Sequence, residues 1–123
     1  MTLSVSTQVN PIATRLVVQT SATSTADTNV LGSAGVIYTV DVDNTANVAA
    51  SYVKLYDNAA PTVGTTPPDM VVLVPASQRR QVVIPEGVSF STALSFACVT
   101  VGGTEGTVDP ASDVIVRILA SVV

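Results

Sequence analysis

Histidine and tryptophan are absent from this 123-residue chain, and cysteine and lysine each occur once. Without an imidazole there is no histidine general base, no Ser-His-Asp triad, no Cys-His pair and no zinc site built on histidine. Cys98 has no partner within the chain, which excludes an intrachain disulfide; folding in a reducing cytoplasm is the simpler expectation, with a bridge to another chain left open. Charged residues make up 11% of the chain and only two are glutamates, too few to build the charged face of a surface helix. Coiled coils, helical bundles and most α/β enzymes are excluded on that ground. Nine acids against five bases give a net charge of −4, which argues against a grip on nucleic-acid phosphates. The strongest apolar stretch, Val114 to Val123, is broken by Arg117 and Ser121 and is too short for a membrane helix. The opening Met1 to Gln8 has neither the basic nor the apolar part of a secretory signal. A soluble protein with no nucleic-acid partner and no membrane partner is the expectation.

What the chain does have is β-branched bulk: 24 Val, 16 Thr and 5 Ile together fill 45 of 123 positions, a bias toward pleated strands. At 47% apolar and this length, one domain can bury a core unaided by metals or disulfides. Residues 1–35 are rich in Ser, Thr and Ala, with one early strand around Leu16-Val17-Val18; Thr20 to Gly35 lacks bulk and reads as a long surface connection or arm whose order depends on a neighbour. From Gly35 onward Val36, Tyr38, Val40 and Val42 alternate with Thr39, Asp41 and Asp43, the pattern of a half-buried strand ending in the turn formers Asp43 to Asn47. Ser51 to Asp57 alternates again, Val53 and Leu55 against Tyr52, Lys54 and Tyr56, whose polar tips are expected to reach water or a partner. Three prolines and a glycine make residues 60–68 a loop.

Met70 to Val74 and Arg80 to Ile84 read as a two-strand ribbon turning through Pro75 to Arg79, and Pro85-Glu86-Gly87 as a further turn into Val88-Ser89-Phe90. Leu94 to Val101 follows, with Leu94, Phe96 and Cys98 on one side; after the loop at Gly102 to Thr107, Asp113 to Val123 alternates with apolar residues on both faces. A strand covered on both sides is either central or buried by another subunit. The expected architecture is all-β: residues 36–123 as a single-domain antiparallel β-sandwich of about eight short strands, a jelly roll being one form of it, with residues 1–35 as an N-terminal arm; a closed barrel is the alternative. Edges of a sheet with so few charges call for pairing between copies, so a homo-oligomer is expected.

Each candidate constellation has a plain structural reading beside it. Glu105, Asp109 and Asp113 could offer oxygens to a calcium ion, but their spacing matches no EF-hand pattern, Asp109-Pro110 fits a turn and Asp113 a polar opening of the last strand; no metal and no cofactor is assigned. Cys98 sits among apolar neighbours with no base nearby, which favours packing over reactivity. Arg79 and Arg80 point to opposite faces and serve a solubilising turn or a salt bridge to a partner. Arg117, mid-strand among apolar residues, needs solvent, a carboxylate or a partner carbonyl. No nucleophile and base can be paired, so no catalytic residue is assigned.

The run Tyr52-Val53-Lys54-Leu55-Tyr56-Asp57-Asn58-Ala59-Ala60-Pro61-Thr62-Val63-Gly64-Thr65, then Val74-Pro75, then Pro85-Glu86-Gly87-Val88-Ser89-Phe90-Ser91-Thr92-Ala93-Leu94, the glycine-containing loop and the apolar terminal strand resemble small virion structural proteins of tailed bacteriophages. The resemblance covers roughly residues 52–123 and leaves the first 50 unmatched. It implies a capsid decoration or cement protein, often a trimer, made in the host cytoplasm and carried on the capsid surface of the virion, where it bridges subunits of the major capsid protein. Copies would associate partly through the terminal strand, with the N-terminal arm reaching neighbours. Arg15, Leu16, Tyr52, Tyr56, Arg79, Arg80, Arg117 and Leu119 are the interface candidates. The competing reading is a receptor- or glycan-binding module of a fibre or tail, using Tyr38, Tyr52 and Tyr56 with the loops at 57–69 and 102–112; the scarcity of aromatics weighs against it.

Overall fold

The computed structural model describes residues 2–7 and 13–123. Within them the chain forms strands β1 (Leu3–Thr7), β2 (Arg15–Gln19), β3 (Gly35–Asp43), β4 (Ser51–Asp57), β5 (Met70–Val74), β6 (Arg79–Phe90), β7 (Leu94–Val99) and β8 (Ile115–Val122), and no helix. They make two antiparallel sheets, one of five strands in the order β1-β2-β8-β3-β6 and one of three in the order β5-β4-β7. The inner faces share one apolar cluster: Val17, Ile37, Val40, Val42, Phe90, Val116, Ile118 and Ala120 from the larger sheet meet Val53, Leu55, Val72, Val74, Leu94, Phe96 and Cys98 from the smaller. The protein is a β-sandwich, because each sheet has one apolar face and can bury it only against the other.

The terminal strand owes its two apolar faces to its place. β8 lies between β2 and β3, with Val116, Ile118 and Ala120 in the core and Ile115, Arg117, Leu119 and Ser121 half-buried on the outer face. Both its backbone edges are taken within the chain, so β8 offers no edge to another copy, and the expected association through the terminal strand would use its outer face.

Alternation misassigned the start of β3. Ile37 is buried while Val36 and Tyr38 are half-exposed, yet Val40 and Val42 are buried as expected. Ile37 pairs with Ala120 and Thr39 with Leu119, so Tyr38 is an extra residue on β3, and this bulge reverses the faces of everything before it. On the other flank the register passes from Ile37–Val88 to Thr39–Val83. Ile84 to Gly87 therefore form an excursion within one twelve-residue strand, not the expected turn between two. Gly87 holds φ at +78° there, and a Cβ would fall 2.3 Å from Val36 Cγ1, which only glycine avoids.

The expected β5–β6 ribbon is also absent: β5 pairs with β4 and β6 with β3, so residues 75–78 cross from one sheet to the other. A buried carboxamide holds this crossing. Asn44 Nδ2 donates to Ala49, Val74 and Pro75 carbonyls at 3.0, 3.3 and 3.1 Å, and its Oδ1 accepts from Ser51 Oγ and Asn47 Nδ2. An apolar run, a short polar break and another apolar run are common to a hairpin and to an arch between sheets, and only Asn44 distinguishes them.

Of the expected arm, residues 1 and 8–12 lie outside the described residues. β2 is an inner strand of the larger sheet, and Thr20 to Gly35 is tied down within the same chain rather than waiting for a neighbour. Cys98 N donates to Thr23 O at 2.8 Å, Asp27 and Phe96 exchange both backbone bonds at 2.9 and 3.0 Å, and Val30 N donates to Leu94 O at 2.9 Å. The segment covers the free edge of β7. Its small side chains carry no signal because backbone groups order it.

Candidate functional site

Opposed residues of an antiparallel ladder share a face, so the registers map the outer face of the larger sheet. One row across it runs Leu16, Leu119, Thr39, Val83; the next runs Val18, Arg117, Asp41, Gln81; a third begins at Ile115 and passes through Asp43 to Arg79. An apolar band thus lies beside a charged one. Among the expected interface residues, Leu16, Leu119, Arg117 and Arg79 come together here. Leu16 and Leu119 are direct cross-strand partners, each half-exposed, and Val83 is 60% exposed at the rim.

The charged band is largely self-satisfied. Arg79 grips Asp41 with both arms of its guanidinium, Nε to Oδ1 at 3.0 Å and Nη2 to Oδ2 at 2.5 Å, and this pairing raises the Arg79 pKa. Arg79 remains about half exposed, so the pair contributes little to stability and mainly fixes charge positions on the surface. Asp43 is held below its ordinary value by the Thr45 hydroxyl and amide. Arg117 Nη1 is buried and has no hydrogen-bond partner among the described residues.

The other candidates lie elsewhere. Arg15 faces the opposite way, paired with Ala120, and its Nη1 donates to Thr14 O. Arg80 reaches across the open side of the sandwich to Leu73 O at 3.0 Å, linking β6 to β5. Tyr52 and Tyr56 are on the outer face of the smaller sheet. Tyr52 is half-buried against Gly102, where a Cβ would stand 2.6 Å from its ring. Tyr56 is wholly buried, its hydroxyl lacks a partner among the described residues, and burial pushes its pKa up; it presents no polar tip to water or to a partner, contrary to expectation.

Between the two tyrosines, a layer of loop that alternation could not reveal covers Lys54. Lys54, also wholly buried, sends Nζ into three carbonyl oxygens of the loop after β7: Gly103 at 2.6 Å, Gly106 at 3.0 Å and Thr104 at 3.5 Å. Burial pulls the Lys54 pKa down and Glu105 partly offsets it. The loop folds tightly, since a Cβ on Gly106 would stand 2.0 Å from Val101 O. A lone lysine flanked by tyrosines on an apolar strand, followed by a glycine-rich stretch, is the signal that marks this latch.

Two of the acids singled out as possible ligands, Asp109 and Asp113, fasten the N-terminal segment. Asp109 Oδ1 accepts from Ser24 N, and Asp113 Oδ1 from Ser21 Oγ, both at 2.8 Å. Among the described residues no three His, Cys, Asp or Glu side chains are grouped to hold a metal. Two shallow hollows of about 250 Å3 are lined by Ala34, Gly35, Ser89, Phe90, Ser91 and Val123, and by Tyr38, Thr39, Val83, Ile84 and Pro85; neither lining contains an Asp, Glu, Lys or Arg side chain. Burial pushes the Cys98 thiol up to about 12, so it stays protonated.

Asp57 is the most heavily bonded carboxylate outside these groups. Desolvation opposes ionisation, but the amides of Thr92 and Ala93 and the hydroxyl and amide of Ser91 outweigh it and hold the pKa below its ordinary value. The stabilisation is complete above the ordinary value of 3.8 and is lost as pH falls through the lower folded value. Asp57→Ala is expected to remove about 0.5–2 kcal/mol, as loss of a helix cap does, and to flatten the acid limb of a thermal-midpoint profile. Asp27 has the opposite sign: burial raises its pKa, so protonation relieves a cost as pH falls.

Comparison with protein-family models, with curated proteins and with solved structures gives no match.

Proposed function

We propose that this β-sandwich is a structural protein of a tailed-phage virion, a decoration or cement protein that binds the outside of the assembled head and bridges major capsid subunits. The apolar band of Leu16, Leu119, Thr39 and Val83 beside the Arg79–Asp41 pair carries the reading, because it is a broad, rigid face with fixed charges and suits a flat protein partner better than a small molecule. The resemblance over residues 52–123 points the same way. So does the strand order. With β1 set aside and Thr23 to Val30 counted as a fourth strand along β7, the orders β2-β8-β3-β6 and segment-β7-β4-β5 are compatible with a jelly roll, a form frequent in viral capsids, and this supports the reading. A protein that binds only the assembled lattice stabilises it by mass action and needs no catalytic group.

Quantitative mass spectrometry of purified virions tests the role: copy number near that of the major capsid protein is expected, and a handful of copies would move the protein to a tail or fibre. Leu119→Gln tests the face. Binding to undecorated heads is expected to weaken about tenfold or more, the loss of one buried apolar anchor, with the thermal midpoint nearly unchanged; undiminished binding would assign the contact to another surface.

A further inference from the structure

The sandwich has four sheet edges, and among the described residues three are protected. Thr23 to Val30 hydrogen-bonds along β7. On β5, Arg80 occupies the Leu73 carbonyl. On β6, Arg79, Arg80, Pro85, Glu86 and the excursion at Ile84 to Gly87 supply the charges, proline and irregularity that discourage pairing. β1 has none of these: Leu3-Ser4-Val5-Ser6-Thr7 is uncharged and free of proline, and its ladder with β2 is regular from Leu3–Gln19 to Thr7–Arg15. Val5 pairs with the core residue Val17, so Leu3 and Val5 lie on the inner face of the larger sheet; they are nevertheless 39% and 41% exposed, at the margin of a five-strand layer backed by only three strands.

We infer that β1 pairs with β1 of a second copy, antiparallel across a two-fold axis at Val5. Full overlap sets Val5 against Val5, Ser4 against Ser6 and Leu3 against Thr7, which keeps the apolar residues of both copies on one face and joins two five-stranded sheets into a continuous one. β1 is its own complement in this register, whereas the guarded β6 edge disfavours head-to-tail addition. The pairing depends on edge chemistry alone, so it can fail without affecting the shell reading, and the reverse. It makes a two-fold dimer where the resemblance implies a trimer.

Cysteine cross-linking of the purified full-length chain, with sedimentation velocity alongside, tests it. Directly opposed Cα atoms in an antiparallel pair are roughly 4.5–5.5 Å apart, within disulfide reach, and a two-residue offset takes them beyond it. Val5→Cys is expected to form a disulfide-linked dimer on mild oxidation. Ser4→Cys and Ser6→Cys are expected to cross-link when mixed and not singly. Unmodified protein should sediment as a concentration-dependent dimer, and Val5→Lys, which sets like charges against each other, should be a monomer with an unchanged far-ultraviolet dichroism spectrum. A monomer or trimer in the unmodified protein, cross-linking of Ser4→Cys alone, or no cross-link from Val5→Cys in a persisting dimer would overturn the pairing.

Discussion

Replacing Lys54 by alanine is expected to destabilise the protein by about 2–5 kcal/mol, the range for cutting a buried long side chain back to alanine. The deletion leaves the carbonyls of Gly103, Thr104 and Gly106 facing a cavity rather than an ammonium, and each unsatisfied acceptor keeps its desolvation cost. It also frees the loop that covers the outer face of β4, including the ring of Tyr52 that Gly102 abuts. Chemical denaturation measures the loss; limited proteolysis locates it, with new cleavage expected within residues 100–110. Lys54→Met, which keeps the stem and omits the charge, separates the two contributions. If it matches wild type, packing of the stem holds the loop and the carbonyl bonds add nothing. Equal loss from both variants would put the effect on the ammonium.

Phe96→Ala is expected to cost a similar ~3–5 kcal/mol for a different reason: a fully buried ring at the centre of β7 is removed from the cluster shared by both sheets, and the cavity adds to the lost transfer energy. The two substitutions should differ in what they spare. The backbone of residue 96 holds Asp27 through N and O whatever the side chain, so Thr23 to Val30 should stay along β7. Hydrogen exchange at the Asp27 and Val30 amides checks this. Protection should fall only in step with global stability, whereas early exchange of these amides would show that the ring, not the ladder, orders the segment.

Alternation alone set Val53 and Leu55 apart from their neighbours and put Leu94, Phe96 and Cys98 on one side, and these are core residues, because in a half-buried strand the period of two is imposed by burial itself; for β8, apolar on both faces, only the structure shows that Val116, Ile118 and Ala120 face the core. Composition alone settled the all-β class, since a chain that is more than a third β-branched and nearly free of lysine and glutamate has no material for a surface helix. Local pattern failed where its period was broken or shared between topologies. One extra residue at Tyr38 reversed the faces of Val36 and Ile37, and a hairpin was indistinguishable from the arch that Asn44 holds.

The candidate site was legible as residue types and not as a surface. Leu16 and Leu119 are 103 positions apart in the chain, and only the β2–β8 register makes them neighbours. Lys54 had the pattern of a solvent-facing residue, and a loop some fifty residues later covers it. The sequence by itself determined the class of fold, the polarity of most strands and the lack of histidine chemistry, all consequences of local burial and side-chain type. Tertiary structure alone decided which edges remain open, which charges are already paired and which apolar residues face outward together, because these depend on contacts between segments whose separation no periodicity encodes.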